Sequence, residues 1–134
     1  MSAHRAAAGV LAVAVLLAGC SARTSAGESG VAPTSTVGPP RATAQQVVDA
    51  FTAAGLDTTQ ARDTTAADCP SSGCTQAIST TEVVVRTFPT SGRAQIYANS
   101  VGIFHVVATS LSFTDGTSKA LQQKYETVAK TVAG

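Results

Sequence analysis

One long apolar run, AAAGVLAVAVLLAG from Ala6 to Gly19, sets the first limit on what this chain can fold into. It follows MSAHR, where Arg5 is the firm positive charge, and it closes against Cys20. A helix that spans a bilayer needs about 20 apolar residues, and this run holds only about 14. A cationic start, a short apolar centre and small residues at its end have the form of a secretory signal peptide over residues 1–19. Residues 21–41, SARTSAGESGVAPTSTVGPPR, are rich in Ser, Thr, Gly and Pro and hold almost nothing to bury. They read as a disordered tether, with an r.m.s. span of about 25 Å. Any core must therefore come from residues 42–134.

Leu17-Ala18-Gly19-Cys20 resembles the lipobox of bacterial lipoproteins, in which Leu stands three residues before Cys with small residues between. The resemblance covers the first 20 residues. It implies that the Cys20 thiol receives a diacylglyceryl group and that a dedicated peptidase cuts before it. Cys20 then becomes the acylated first residue of a protein held at the outer face of the cell membrane. One acyl chain anchors only marginally, but each buried methylene adds about 0.8 kcal/mol, so two or three chains hold firmly. Partners then include the membrane itself, reached through lipid rather than through charge.

Charge and composition narrow the remainder. Of the 9 Lys and Arg residues Arg5 leaves with the signal segment, so the mature part balances its basic side chains against 8 acidic ones. No basic stripe for nucleic acid is visible, and no basic cluster for anionic lipid. Trp is absent and aromatics are 4% of the chain, which argues against an aromatic sugar-binding platform.

The other two cysteines, Cys69 and Cys74, bracket the turn-forming CPSSGC. Outside the cytoplasm such a pair reads as a disulfide, worth about 2 kcal/mol by the chain-entropy model. A redox dithiol of the thioredoxin kind would be spaced C-x-x-C, and a structural zinc site needs four ligands. The staple reading is therefore preferred, with no metal and no cofactor expected.

Within residues 42–134 the pattern alternates. TAQQ is a capping box on Thr43 and Gln46, and Val47, Phe51 and Ala54 recur at helical spacing until Gly55, so residues 44–54 are predicted helical. Residues 58–64 suggest a short strand, and residues around Cys69 and Cys74 a loop. TTEVVVRTF at 80–88 is a central strand, ended by Pro89. Thr90 then caps a helix whose inner face is Ala94, Tyr97, Ala98 and Val101. IFHVVATSLSF at 103–113 reads as one further strand, bent or bulged near Ala108. The last helix starts near Thr117 or Ser118, with Leu121, Tyr125, Val128 and Val132 as its core stripe. The length of the 80–113 segment permits parallel pairing of its strands. The expected fold is α+β, with helices on one face of a sheet of three or four strands. TAQQVVDAFTAAGL, CPSSGC and VVVRTFPTSGRAQIYA also make this body similar to small lipoproteins of actinobacteria, a resemblance that implies no particular chemistry.

Candidates for chemistry are few. His105 is the single histidine after Cys20, and it stands in a predicted strand with no G-x-S-x-G elbow anywhere in the chain. Asp57, Asp63 and Asp68 lack calcium-loop spacing. Glu82 and Arg86 are expected on one face of their strand, facing water or each other, and Glu126 on a helix without predicted adjacency to Glu82. Ser91, Gly92 and Arg93 open a helix and form the sharpest binding candidate, for an anion held by backbone N–H groups. No catalytic set emerges. The sequence thus points to a non-enzymatic accessory or interaction module of the cell envelope, acting on an envelope protein. One alternative is a carrier of a small or lipidic ligand, favoured if Val47, Phe51 and Leu121 leave the interior unfilled. The other is a hydrolase using His105, which needs an acid beside that histidine.

Overall fold

The computed structural model describes residues 41–134. The signal segment, Cys20 and all of the tether but Arg41 lie outside them. Helix α1, Ala44–Ala53, begins as its sequence dictates. Thr43 Oγ1 accepts from Gln46 N–H at 3.2 Å, and Gln46 Oε1 accepts from Thr43 N–H at 2.8 Å. The helix ends by the same local logic. Leu56 N–H donates to Phe51 C=O and Gly55 N–H to Thr52 C=O, the paired bonds of a Schellman motif. Gly55 takes the left-handed conformation this ending needs, at φ 74°.

Strand β1, Arg62–Asp63, is followed by helix α2, Thr65–Ser72, and then by β2, Gln76–Ser79, and β3, Val83–Thr87. Helix α3, Ser91–Val101, leads into the hairpin β4, Phe104–Val106, and β5, Thr109–Phe113. Helix α4, Lys119–Ala133, closes the chain behind the N-cap Ser118. The sheet is antiparallel throughout, in the order β1-β2-β3-β5-β4. The α+β class is as expected, but the described residues build five strands rather than three or four.

The extra strands have identifiable causes. The segment 103–113 is two strands, because the chain reverses at Val107 and Ala108. β5 then inserts between β3 and β4, pairing Val85 with Leu111 and Phe104 with Leu111 on its two sides. β3 and β4 run parallel, as the crossover length permits, but β5 separates them and takes the hydrogen bonds of both. The segment around Cys69 is helical rather than loop. It is tied to β2 by Thr64 N–H donating to Ala77 C=O at 2.9 Å and by Ala77 N–H donating to Thr65 Oγ1 at 3.0 Å. β1 occupies only two residues of the expected 58–64 strand.

The main core lies between one sheet face and the pair α1 and α4. Ile78, Val83, Val85 and Leu111 from the sheet meet Val47, Val48, Phe51, Tyr125 and Ala129 from the helices. Ala44 N–H donates to Gln76 Oε1 at 2.9 Å, which seats the start of α1 on β2. The stripe on α4 ends at Ala129, which is fully buried, whereas Val132 is 36% exposed. Val101, expected on the inner face of α3, is likewise exposed, and Ala94 and Ala98 do the packing there. Cover of one sheet face describes α1 and α4; α2 and α3 place side chains against the opposite face.

The hairpin turn between β4 and β5 breaks a local rule. Val107 sits at φ 48°, in the left-handed region where a β-branched residue is strained, and it is exposed. Positive φ at the first of two loop residues is the pattern of a II′ turn, a position that favours glycine. Val107→Gly is therefore expected to raise stability by about 1 kcal/mol, the low end of the strain range for such positions. A rise in the urea midpoint at constant slope would show this; a fall would place the strain elsewhere.

Candidate functional site

On the second sheet face β3 contributes Arg86 and β5 contributes Ser110 and Ser112, with His105 on β4 at its edge. The register makes Arg86 the partner of Ser110, and Ser110 the partner of His105. Alternation along β3 buries Val83 and Val85 against α1 and α4 and turns Arg86 the other way. There its guanidinium donates to Ser112 Oγ at 2.9 Å and pairs with Asp68 of α2 at 3.4 Å. The ring of Tyr97, from α3, has its centroid 5.7 Å from the guanidinium carbon and packs on Phe88 behind it. The Arg86 side chain is only 13% exposed, and its Nε has no hydrogen-bond partner among the described residues. Neither has Ser110 Oγ, which is fully buried. This half-satisfied cation between α2 and α3 is the most unusual polar arrangement in the domain.

The expected site residues are distributed around it. Cys69 and Cys74 form a disulfide, with Cα atoms 4.6 Å apart, across the end of α2. Arg93 reaches to the same place: a Cβ built on Gly73 would lie 3.7 Å from Arg93 Nη1. Ser91, Gly92 and Arg93 are all exposed, and their helix start is already served, since Thr90 Oγ1 accepts from Arg93 N–H at 3.2 Å. An anion there would compete with the chain's own cap.

His105 and Ser110 stand opposite each other, a juxtaposition invisible in the sequence until the 103–113 segment is known to be a hairpin. Among the described residues no carboxylate hydrogen-bonds His105, and the buried Ser110 hydroxyl is closed to any substrate. Asp57, Asp63, Asp68 and Glu82 are engaged elsewhere. Asp57 accepts from Thr59 N–H and Asp63 from Thr65 N–H, both at 2.8 Å. Hydrogen bonds from the Thr59 backbone and side chain hold the Asp57 carboxyl below its usual range, and those from the Thr65 side chain and backbone do the same for Asp63. Asp68 serves Thr64 Oγ1 as well as Arg86. Glu82 lies just before β3, not on it, and accepts from Thr117 Oγ1 at 3.1 Å rather than meeting Arg86. Among the described residues no three His, Cys, Asp or Glu side chains gather in a way that would hold a metal ion.

The interior under α1 and α4 is filled: Val47, Phe51 and Tyr125 are fully buried and Leu121 packs against them. What opens to solvent is a shallow groove of about 500 Å³ where the end of α1 meets α4, lined by Ala54, Leu56, Ala120, Lys124 and Val128 among others. No described helix is long and apolar enough to cross a membrane. No family model, curated protein or solved structure matches the chain.

Proposed function

We propose that this chain is a lipid-anchored protein of the outer face of the cell membrane, and that its α+β domain works as a non-enzymatic accessory or interaction module. The observation that carries the reading is LAGC at 17–20, at the end of the short apolar run and followed by a Ser/Thr/Gly/Pro tether. The domain at the end of that tether supports it in two ways. Asp57 and Asp63 are committed to turns, and Asp68 and Arg86 to an ion pair, rather than converging on a cleft. Several large apolar side chains also stand in solvent, Ile96 at 72% and Val101 at 51%, with Val107 held exposed on a strained turn. A strained, exposed apolar residue is more readily explained by contact with another molecule than by folding.

With Val47, Phe51 and Tyr125 fully buried and packed together, a ligand carrier would have to use a surface feature such as the groove beside Leu56. The test is mass spectrometry on protein extracted from its host in mild detergent after brief chemical cross-linking. The proposal expects a discrete cross-linked envelope protein. A small non-covalent adduct in the native spectrum, with no protein partner, would replace the module by the carrier.

A further inference from the structure

We infer that the Cys69–Cys74 disulfide is a redox-labile latch: exchange with a dithiol releases α2 and uncovers Arg86. This inference stands apart from the lipid anchor. It begins with how little else holds α2. The helix has eight residues and buries none of them. Thr64 at its start makes no side-chain cap, and Pro70 within it cannot donate a backbone hydrogen bond. The hydroxyls of Ser71 and Ser72 both bond to Asp68 C=O, at 3.1 and 2.8 Å, offering the backbone a partner outside the helix ladder. An isolated helix of this length is not stable in water. Its first turn is tied to β2 through Thr64 and Thr65. Asp68, in the same first turn, accepts from Thr64 Oγ1 and touches Arg86 at 3.4 Å, while the far end of the helix is held by the disulfide.

Release costs the remainder of the domain little. The core between α1, α4 and the sheet contains no residue of α2. The group uncovered is Arg86, a guanidinium with an unpartnered Nε, which gains water as soon as α2 leaves. The sulfurs also sit where exchange is favoured. Cys69 and Cys74 are both partly exposed, and Arg93 lies alongside Gly73, next to Cys74 in the chain. A neighbouring cation stabilises the departing thiolate. A thiolate of the reductant attacks one sulfur and forms a mixed disulfide, while the second cysteine leaves as thiolate. The reductant's other thiol then displaces the first cysteine. Two electrons and two protons pass to the pair, and the dithiol is oxidised to its own disulfide.

The test uses the full chain with and without dithiothreitol. Hydrogen exchange of peptides over residues 65–74 should accelerate by about ten-fold or more on reduction, while peptides over α1, β3, β5 and α4 stay unchanged. Phenylglyoxal labelling of Arg86 should rise toward that of the exposed Arg62, and the double variant Cys69→Ser, Cys74→Ser should reproduce both changes without reductant. The inference is overturned if the disulfide yields to dithiothreitol only in denaturant. It fails equally if residues 65–74 keep their protection when reduced, or if protection is lost throughout the domain.

Discussion

Replacing Tyr125 by alanine is expected to remove about 3 to 5 kcal/mol of stability, the range for truncating a buried aromatic. For a domain of this size, whose whole stability is about 5 to 15 kcal/mol, that leaves a large unfolded fraction at moderate temperature. Tyr125 is fully buried on α4 and joins three parts of the fold. Its ring meets Phe51 of α1 edge-on at 4.9 Å between centroids, and Phe113 of β5 at 5.9 Å. Its hydroxyl donates to Asp57 C=O at 2.6 Å, which ties down the segment after α1. Tyr125→Phe keeps the rings and loses only that bond, so its cost near neutral pH is about 1 kcal/mol. The two variants separate ring packing from hydrogen bonding.

The phenol adds a pH signature. Burial, and then the negative charges of Glu82 and Asp57, raise its pKa above the ordinary 10.0. The folded state therefore holds the proton more tightly than the unfolded chain. This contribution is fully present below the unfolded pKa and is lost as pH rises through the folded one. Tyr125→Phe lacks that limb. Urea midpoints at about pH 8 and pH 11 should show the wild type losing more stability than the variant. Equal losses would mean that the hydroxyl is not shielded as its burial implies.

Much of this arrangement is legible in the residues themselves, where local chemistry and tertiary packing ask for the same thing. The Thr43–Gln46 box, the Gly55 ending and the Val47–Phe51 spacing specify α1 at every position, and three adjacent valines mark β3. Legibility fails where tertiary contacts override local preference. Pro70, Ser71, Ser72 and Gly73 are turn formers, and α2 exists because its start is bonded to β2 and its end is cross-linked. The β4–β5 turn carries Val107 and Ala108 in place of the Gly, Asn or Asp that announce a hairpin, so two strands read as one. That error conceals the site as well. Only the hairpin sets His105 against Ser110, and only α2 brings Asp68 to Arg86, 18 residues away. A buried cation with a partner on another element has no periodicity to betray it.

Cys20→Ser is expected to have the largest effect on where and in what form the protein exists. The wild type should give a denatured mass of residues 20–134 plus acyl groups, two hydrogens light for the Cys69–Cys74 bridge. Serine offers a hydroxyl in place of the more nucleophilic thiol, so the thioether cannot form. Without it the cut before residue 20 should not be made, and the variant should carry no acyl mass and still include residues 1–19 or be cut at another position. Mass is the sharper readout than fractionation. Two acyl chains, at about 0.8 kcal/mol for each buried methylene, hold a protein to a bilayer firmly. An uncleaved apolar run of about 14 residues is short of a full span yet still prefers the membrane, so both proteins can sediment with it. The masses do not share that ambiguity. Identical processed masses for wild type and variant, or a wild type cut before Cys20 without lipid, would remove the anchor and with it the reason to place this domain on a membrane.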